Sequence, residues 1–178
     1  MPLLCVSDST PCARNLSIEA GAAEPLSPEL LKLQGRTNIT FDVRACGEAH
    51  VYLYALLDLE SRPPRPDVID IVIGSPSNTE PATVIKAGLV CSDKVNQTQP
   101  SPSRCGEFRR FVVSWEEKDI EAQIVVDGTW RTFLRCEAVP WGGFQIYSIF
   151  VAYSAEDNST SEWKIGEFCR ECELGSYS

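Results

Sequence analysis

Asn38-Ile39-Thr40-Phe41-Asp42-Val43-Arg44-Ala45 alternates strictly, with Ile39, Phe41, Val43 and Ala45 on one parity and Asn38, Thr40, Asp42 and Arg44 on the other. A strand sends successive side chains to opposite faces, so this segment reads as half-buried, one face on a core and one in water. The same parity puts Asn38, which opens an Asn-Ile-Thr sequon, on the solvent side.

Downstream the pattern repeats. His50 to Leu57 sets Val51, Leu53 and Ala55 against His50, Tyr52 and Tyr54, until Ser61-Arg-Pro-Pro-Arg-Pro66 forbids regular structure and reads as a loop. Val68 to Ile73 is a β-branched run ended by Gly74-Ser-Pro-Ser-Asn78, and Ala82 to Ala87 reads as its hairpin partner. Phe108, Phe111, Val113 and Trp115 lead into Glu116-Glu-Lys-Asp119; Ile120, Ala122, Ile124 and Val126 then alternate up to Asp127-Gly128, a strong hairpin signal. Phe144 to Tyr153 is apolar or aromatic on both parities, which predicts a strand covered on both faces, and Trp163 to Phe168 supplies a last one.

Upstream, Met1 to Arg36 carries Pro2, Pro11, Pro25 and Pro28 with few periodic apolar residues. It reads as a lead-in holding at most one short helix begun by Ser27-Pro28-Glu29, with Ser as N-cap and Pro at N1. Between Cys91 and Cys105 a polar, proline-bearing stretch reads as an exposed loop.

Some eight or nine short strands and almost no helix predict an all-β chain, a two-sheet antiparallel β-sandwich of jelly-roll-like type. The expected organisation is a lead-in over residues 1–36, a sandwich over 37–168 and a tail over 169–178. Phe41, Phe111, Trp115, Ile146 and Trp163 are the expected heart of the core.

Composition bounds the function. A net charge of −9 opposes phosphate backbones and anionic lipid surfaces, so neither nucleic acid nor a membrane is an expected partner. No apolar run is long enough to span a bilayer. Met1 to Cys12 lacks a signal-peptide pattern, so secretion would make this a piece of a longer protein.

The eight cysteines are even in number and mostly widely spaced, as disulfides in an oxidising compartment are. Cys46, Cys91, Cys105 and Cys136 are the candidates for holding the β core, with Cys91–Cys105 favoured because that pair brackets a loop. Only Cys169-Arg-Glu-Cys172 has zinc-ligand spacing and His50 is the sole histidine, so no metal is expected. Sequons at Asn15, Asn38, Asn96 and Asn158 are glycan acceptors in a secretory setting. Cysteines and sequons together predict an extracellular location.

Phe41-Asp-Val-Arg-Ala-Cys46-Gly-Glu-Ala-His50, Ile71-Val-Ile-Gly74 with Asn78-Thr79, Phe108-Arg-Arg-Phe111-Val-Val-Ser-Trp115 and Glu162-Trp-Lys-Ile165, in that order, resemble the farnesoic acid O-methyltransferase-type domain. The resemblance runs from about Thr37 to Phe168. It implies an all-β module of larger extracellular proteins, including some of the complement and α2-macroglobulin-like group, with an enzymatic name that is a historical label. Ser75-Pro-Ser77 and Val112 depart from the family's Gly/Trp-rich turn and its tryptophan. Cys169-Arg-Glu-Cys172-Glu-Leu-Gly175-Ser-Tyr177-Ser also looks like the opening of a cysteine-rich repeat of receptor ectodomains.

Methyl transfer from S-adenosylmethionine usually needs a glycine-rich turn between a strand and a helix. Gly142-Gly143, the only glycine pair, instead precedes a strand and reads as a tight turn, so no cofactor is expected. His50 sits in a strand pattern with no local base–nucleophile signature and reads as structural. The acidic groups Glu116-Glu117, Asp119-Glu121 and Glu156-Asp157 read as solvated turn charges rather than paired catalytic carboxylates or calcium ligands.

Among the tryptophans, Trp115 and Trp163 fall in strand patterns, whereas Trp130 and Trp141 flank turns and are the candidate ligand-binding pair. The expected function is non-catalytic recognition of an extracellular protein or glycan. A methyltransferase using S-adenosylmethionine and a structural spacer are the rivals.

Overall fold

Among the described residues, twelve strands run in chain order through the computed structural model. They are β1 Arg14–Glu19, β2 Ala23–Leu26, β3 Asn38–Arg44, β4 Glu48–Leu57, β5 Arg65–Ile73, β6 Thr83–Ile85, β7 Leu89–Ser92, β8 Arg109–Glu116, β9 Asp119–Val126, β10 Thr129–Ala138, β11 Phe144–Ser154 and β12 Thr160–Ile165. The structure describes residues 14–26, 37–57, 63, 65–74, 83–85, 89–92, 104–116, 119–138, 144–156 and 158–165, and no helix occurs among them. The expected helix at Ser27, the Gly142-Gly143 turn and the tail over 169–178 lie outside the described residues.

The strands form a seven-stranded sheet ordered β1-β12-β3-β8-β9-β10-β7 and a five-stranded sheet ordered β2-β11-β4-β5-β6. Every pairing is antiparallel. The inward parities of both sheets meet in one core, in which Phe41, Phe111, Trp115, Ile146 and Trp163 are all buried as expected. Phe41 joins the layer's other large rings, with centroids 5.7 Å from Phe111 and 5.4 Å from Trp163. Among the described residues the one buried polar side chain, Ser161, accepts the Trp163 indole N–H at 2.8 Å and donates to the Ile18 carbonyl at 3.4 Å. A buried Trp keeps its place there because its donor is satisfied.

The expected hairpins form. Val126 pairs with Thr129 across a two-residue turn in which Asp127 and Gly128 both have positive φ, 51° and 74°, the geometry that suits Asp-Gly. β5 ends at Ile73, is followed by Gly74 at φ 94°, and pairs with β6.

Four readings are corrected by the tertiary pairing. The lead-in supplies both β1 and β2, which flank one edge of the sandwich, one in each sheet, by pairing with β12 and β11. Pro25 is tolerated in β2 because an edge strand has no ladder bond to lose on its outer side. Gly21, at φ 84°, lets the chain cross from one sheet to the other, its N–H bonded to the Tyr153 carbonyl at 2.8 Å. The proline run is likewise shorter than expected, since β5 starts at Arg65 and pairs Pro66 with Leu56, beyond the reach of β6, which covers only Asp70 to Val72.

β11 is not simply covered on both faces. A bulge between Ile146 and Ser148 switches its parity, so Ile146 points inward before it and Ile149, Val151 and Tyr153 after it. Tyr147, the extra residue, is left 43% exposed. The pairing of Cys91 with Cys105 also gives way: Cys91 lies directly opposite Cys136 in the β7–β10 ladder, Cys136 is disulfide-bonded, and Cys105 is an exposed thiol.

Candidate functional site

The outward parity of the seven-stranded sheet carries one continuous level of side chains. Asn15 of β1 is the Cα partner of Lys164 in β12, Lys164 of Asp42 in β3, and Asp42 of Arg110 in β8. One step beyond the Phe111–Ile124 pair brings Arg110 opposite Val125 of β9, whose partner in β10 is Trp130. Their chain neighbours Phe41, Phe111 and Ile124 are buried, so the level itself faces outward by strand alternation. Trp130 stands at one end, 44% exposed, and the Asn15 sequon at the other.

Two clefts lie along this level and share Phe108. One, of about 690 Å³, is lined by Asp42, Arg104, Glu107, Phe108, Arg109, Arg110, Val125, Val126 and Asp127. The other, of about 490 Å³, is lined by Asn15, Leu16, Ser17, Phe108, Glu162, Trp163 and Lys164. Phe108 is held between two cations, with Lys164 Nζ 4.0 Å and the Arg44 guanidinium carbon 4.9 Å from its ring centroid.

Charges alternate across the groove. Arg110 donates twice to Asp42, Nε to Oδ1 at 2.7 Å and Nη2 to Oδ2 at 3.1 Å, and this hydrogen bond and the carboxylate charge raise the guanidinium pKa. Arg104 and Arg109 both donate to Glu107 Oε1, at 2.9 and 3.3 Å. Exposed ion pairs of this kind contribute about 0.2–1 kcal/mol each. Pairs this weak leave their donors and acceptors free to exchange partners.

Of the expected pair, Trp130 stands exposed on the same sheet face as the Cα partner of the lining residue Val125, without itself lining either cleft, and Trp141 lies outside the described residues. Asn15, Asn38 and Asn158 are exposed, while Asn96 is outside the described residues.

The opposite face holds a cluster that local sequence did not reveal. On the five-stranded sheet, His50 Nδ1 lies 3.1 Å from Asp70 Oδ1 and Nε2 lies 2.9 Å from Ser154 Oγ, joining β4, β5 and β11. The contacts run in the order of a Ser-His-Asp triad, but the Ser154 hydroxyl also donates to Glu48 Oε2 at 3.1 Å. Ser154 Oγ is therefore within hydrogen-bond reach of both the imidazole and a second carboxylate, in a four-residue network across three strands. The cluster works as a cross-strand tie, continued by stacking of His50 on Tyr52 at 5.6 Å and a tilted contact of Tyr54 with Phe150 at 5.0 Å. The parity of His50, Tyr52 and Tyr54 was visible in sequence, but Ser154, 104 residues away, enters only through the β4–β11 register.

Comparison with curated proteins returns no match. The farnesoic acid O-methyl transferase family model matches residues 26–165, a span that contains every strand from β3 to β12 and the whole central part of the groove. The chain therefore belongs to the farnesoic acid O-methyltransferase family.

Proposed function

We propose that this chain is a non-catalytic extracellular recognition module and that the groove across its seven-stranded sheet receives a glycan. The observation that carries this reading is the single outward level from Asn15 to Trp130, which sets an exposed indole beside paired, alternating donors and acceptors. Vicinal hydroxyls are bonded well by carboxylate–guanidinium pairs, and the apolar face of a sugar ring is received by an aromatic side chain. The eight cysteines and the sequons support a secretory origin.

The family's name raises methyl transfer from S-adenosylmethionine as the alternative. The described residues do not fit that cofactor by the usual cradle, since the glycines at positive φ, Gly21, Gly74 and Gly128, lie at strand crossings, strand ends and hairpin turns rather than between a strand and a helix. The test is a glycan array with the purified chain, followed by titration of a retained oligosaccharide against Trp130→Ala and Arg110→Ala. At least about tenfold weaker binding, ~1.4 kcal/mol, is expected for each. An array with no retained glycan, or micromolar binding of S-adenosylmethionine by calorimetry, would overturn the reading.

A further inference from the structure

Beside the exposed indole of Trp130 lies a polar cluster that belongs to neither cleft. The next outward residue of β10 is Thr132, ~6.8 Å along the strand, and its Cα partner on β9 is Gln123. Glu121, two residues before Gln123, turns its carboxylate back to that pair. Gln123 Nε2 donates to Glu121 Oε1 at 2.7 Å and to Thr132 Oγ1 at 3.1 Å, and the Thr132 hydroxyl gives its own proton to Glu121 Oε1. Both amide protons and the hydroxyl proton are thus spent inside the cluster. What remains is acceptors: Glu121 Oε2 and Gln123 Oε1 have no hydrogen-bond partner among the described residues. No buried side-chain N or O of those residues lacks a partner, so both oxygens are open to solvent. Gln123 is the diagonal neighbour of Trp130 across the β9–β10 ladder, ~7–8 Å away and within reach of an aromatic side chain.

We propose that Trp130, Glu121 and Gln123 form a subsite for one neutral sugar ring, its apolar face on the indole and two of its hydroxyls donated to Glu121 Oε2 and Gln123 Oε1. The subsite rests on the reading of this sheet face as a glycan site, and it names the residues that select the sugar. A ligand here must bring an apolar face and donors at its edge, because the indole offers a π face and the cluster offers only acceptors. A pyranose carries both. An acidic sugar is opposed by the Glu121 carboxylate, in a chain whose net charge is already −9. A cation is opposed from both sides, since Arg110 lies on the Trp130 level and Arg135 is the Cα partner of Glu121. The acceptors are held in place by bonds within the cluster, so little side-chain freedom is lost when a ligand arrives.

The test follows the Trp130 indole N–H signal of the full chain by NMR, assigned by its loss in Trp130→Phe. The probes are the methyl glycosides of glucose, galactose and N-acetylglucosamine, with methyl glucuronide and arginine methyl ester as the acidic and cationic counterparts. At least one neutral glycoside should shift the signal, and methyl glucuronide should bind at least about fivefold more weakly than methyl glucoside. Glu121→Gln keeps the side chain's size and removes its charge; it should weaken the neutral glycoside about tenfold and erase the discrimination against the glucuronide. Gln123→Met, which keeps the length and loses the amide oxygen, should give a similar loss. An indole silent to every neutral glycoside, one shifted by arginine methyl ester alone, or unchanged affinity in both variants overturns the subsite. An oligosaccharide weakened by Arg110→Ala and not by Glu121→Gln counts against the subsite alone. Glycoside binding that depends on Glu121, in a protein whose oligosaccharide affinity ignores Arg110→Ala, supports the subsite and counts against the groove reading alone.

Discussion

The two outer faces of the sandwich are built by the same alternation yet do different things with it. On the seven-stranded sheet the outward residues are exposed ion pairs such as Arg110–Asp42, with side chains 58% and 21% exposed, interrupted by Phe108 and Trp130. On the five-stranded sheet the outward residues tie to one another, with the His50 side chain only 12% exposed between Asp70, Ser154 and Tyr52. Partners held in water exchange cheaply for a ligand, whereas partners shielded from water leave a costly vacancy when removed. A polar surface is therefore a candidate site only where its own pairs are weak, and on this molecule that is the groove face.

Truncating the core that both faces share should outweigh any change on either of them. Trp163→Ala, at 1% exposure, is expected to cost about 3–5 kcal/mol by chemical denaturation, and Trp115→Ala a comparable amount. Trp130→Ala should cost less than about 1 kcal/mol. A Trp130 variant as unstable as the Trp163 one would make the groove part of the core and end the contrast.

Removing one partner of the shielded tie should come next. Asp70→Asn is expected to lower stability by about 1–3 kcal/mol while leaving glycan affinity unchanged, since it replaces the carboxylate facing His50 with a neutral amide on the face away from the groove. Loss of binding in a folded Asp70→Asn protein would move the site to the five-stranded sheet. Breaking an exposed pair should do the reverse. Asp42→Asn should change stability by less than about 1 kcal/mol, and its affinity loss should shrink at high salt because it acts through the freed Arg110 charge.

The smallest effect is alkaline. The Tyr52 phenol is raised above its usual value of 10.0 by burial first, then by the charges of Asp70 and Tyr54. A raised folded-state pKa means the folded protein holds that proton more tightly, so the stabilisation is full below pH ~10 and is lost as pH rises above it. Tyr52→Phe should flatten the fall in stability above pH 10 in thermal melts; an unchanged slope would show that the tie does not shield the phenol.

The core strands were legible because their signal is local. In Asn38–Arg44, Arg109–Glu116 and Asp119–Val126 the hydrophobic period alone identifies strand and buried face, and Asp127-Gly128 names its own turn. β1 and β2 escaped notice because at six and four residues, with Pro25 inside, they carry too few periods to stand out. The β11 bulge escaped for a related reason. An inserted residue reverses parity in mid-strand, so a one-dimensional reading sees both faces as apolar when each is apolar over half the length.

By itself the sequence determined the all-β class, the buried rings, the exposure of Trp130 and the chemistry available on each outward parity, because side-chain alternation is dictated by neighbours one and two residues away. Only the tertiary structure decided which of those outward residues stand side by side. Asn15, Lys164, Asp42, Arg110, Val125 and Trp130 come from six strands, and Cys91 meets Cys136 rather than Cys105, because strand order and register are set by how two whole faces pack, and a slip of one residue would send every one of these side chains to the other side of its sheet.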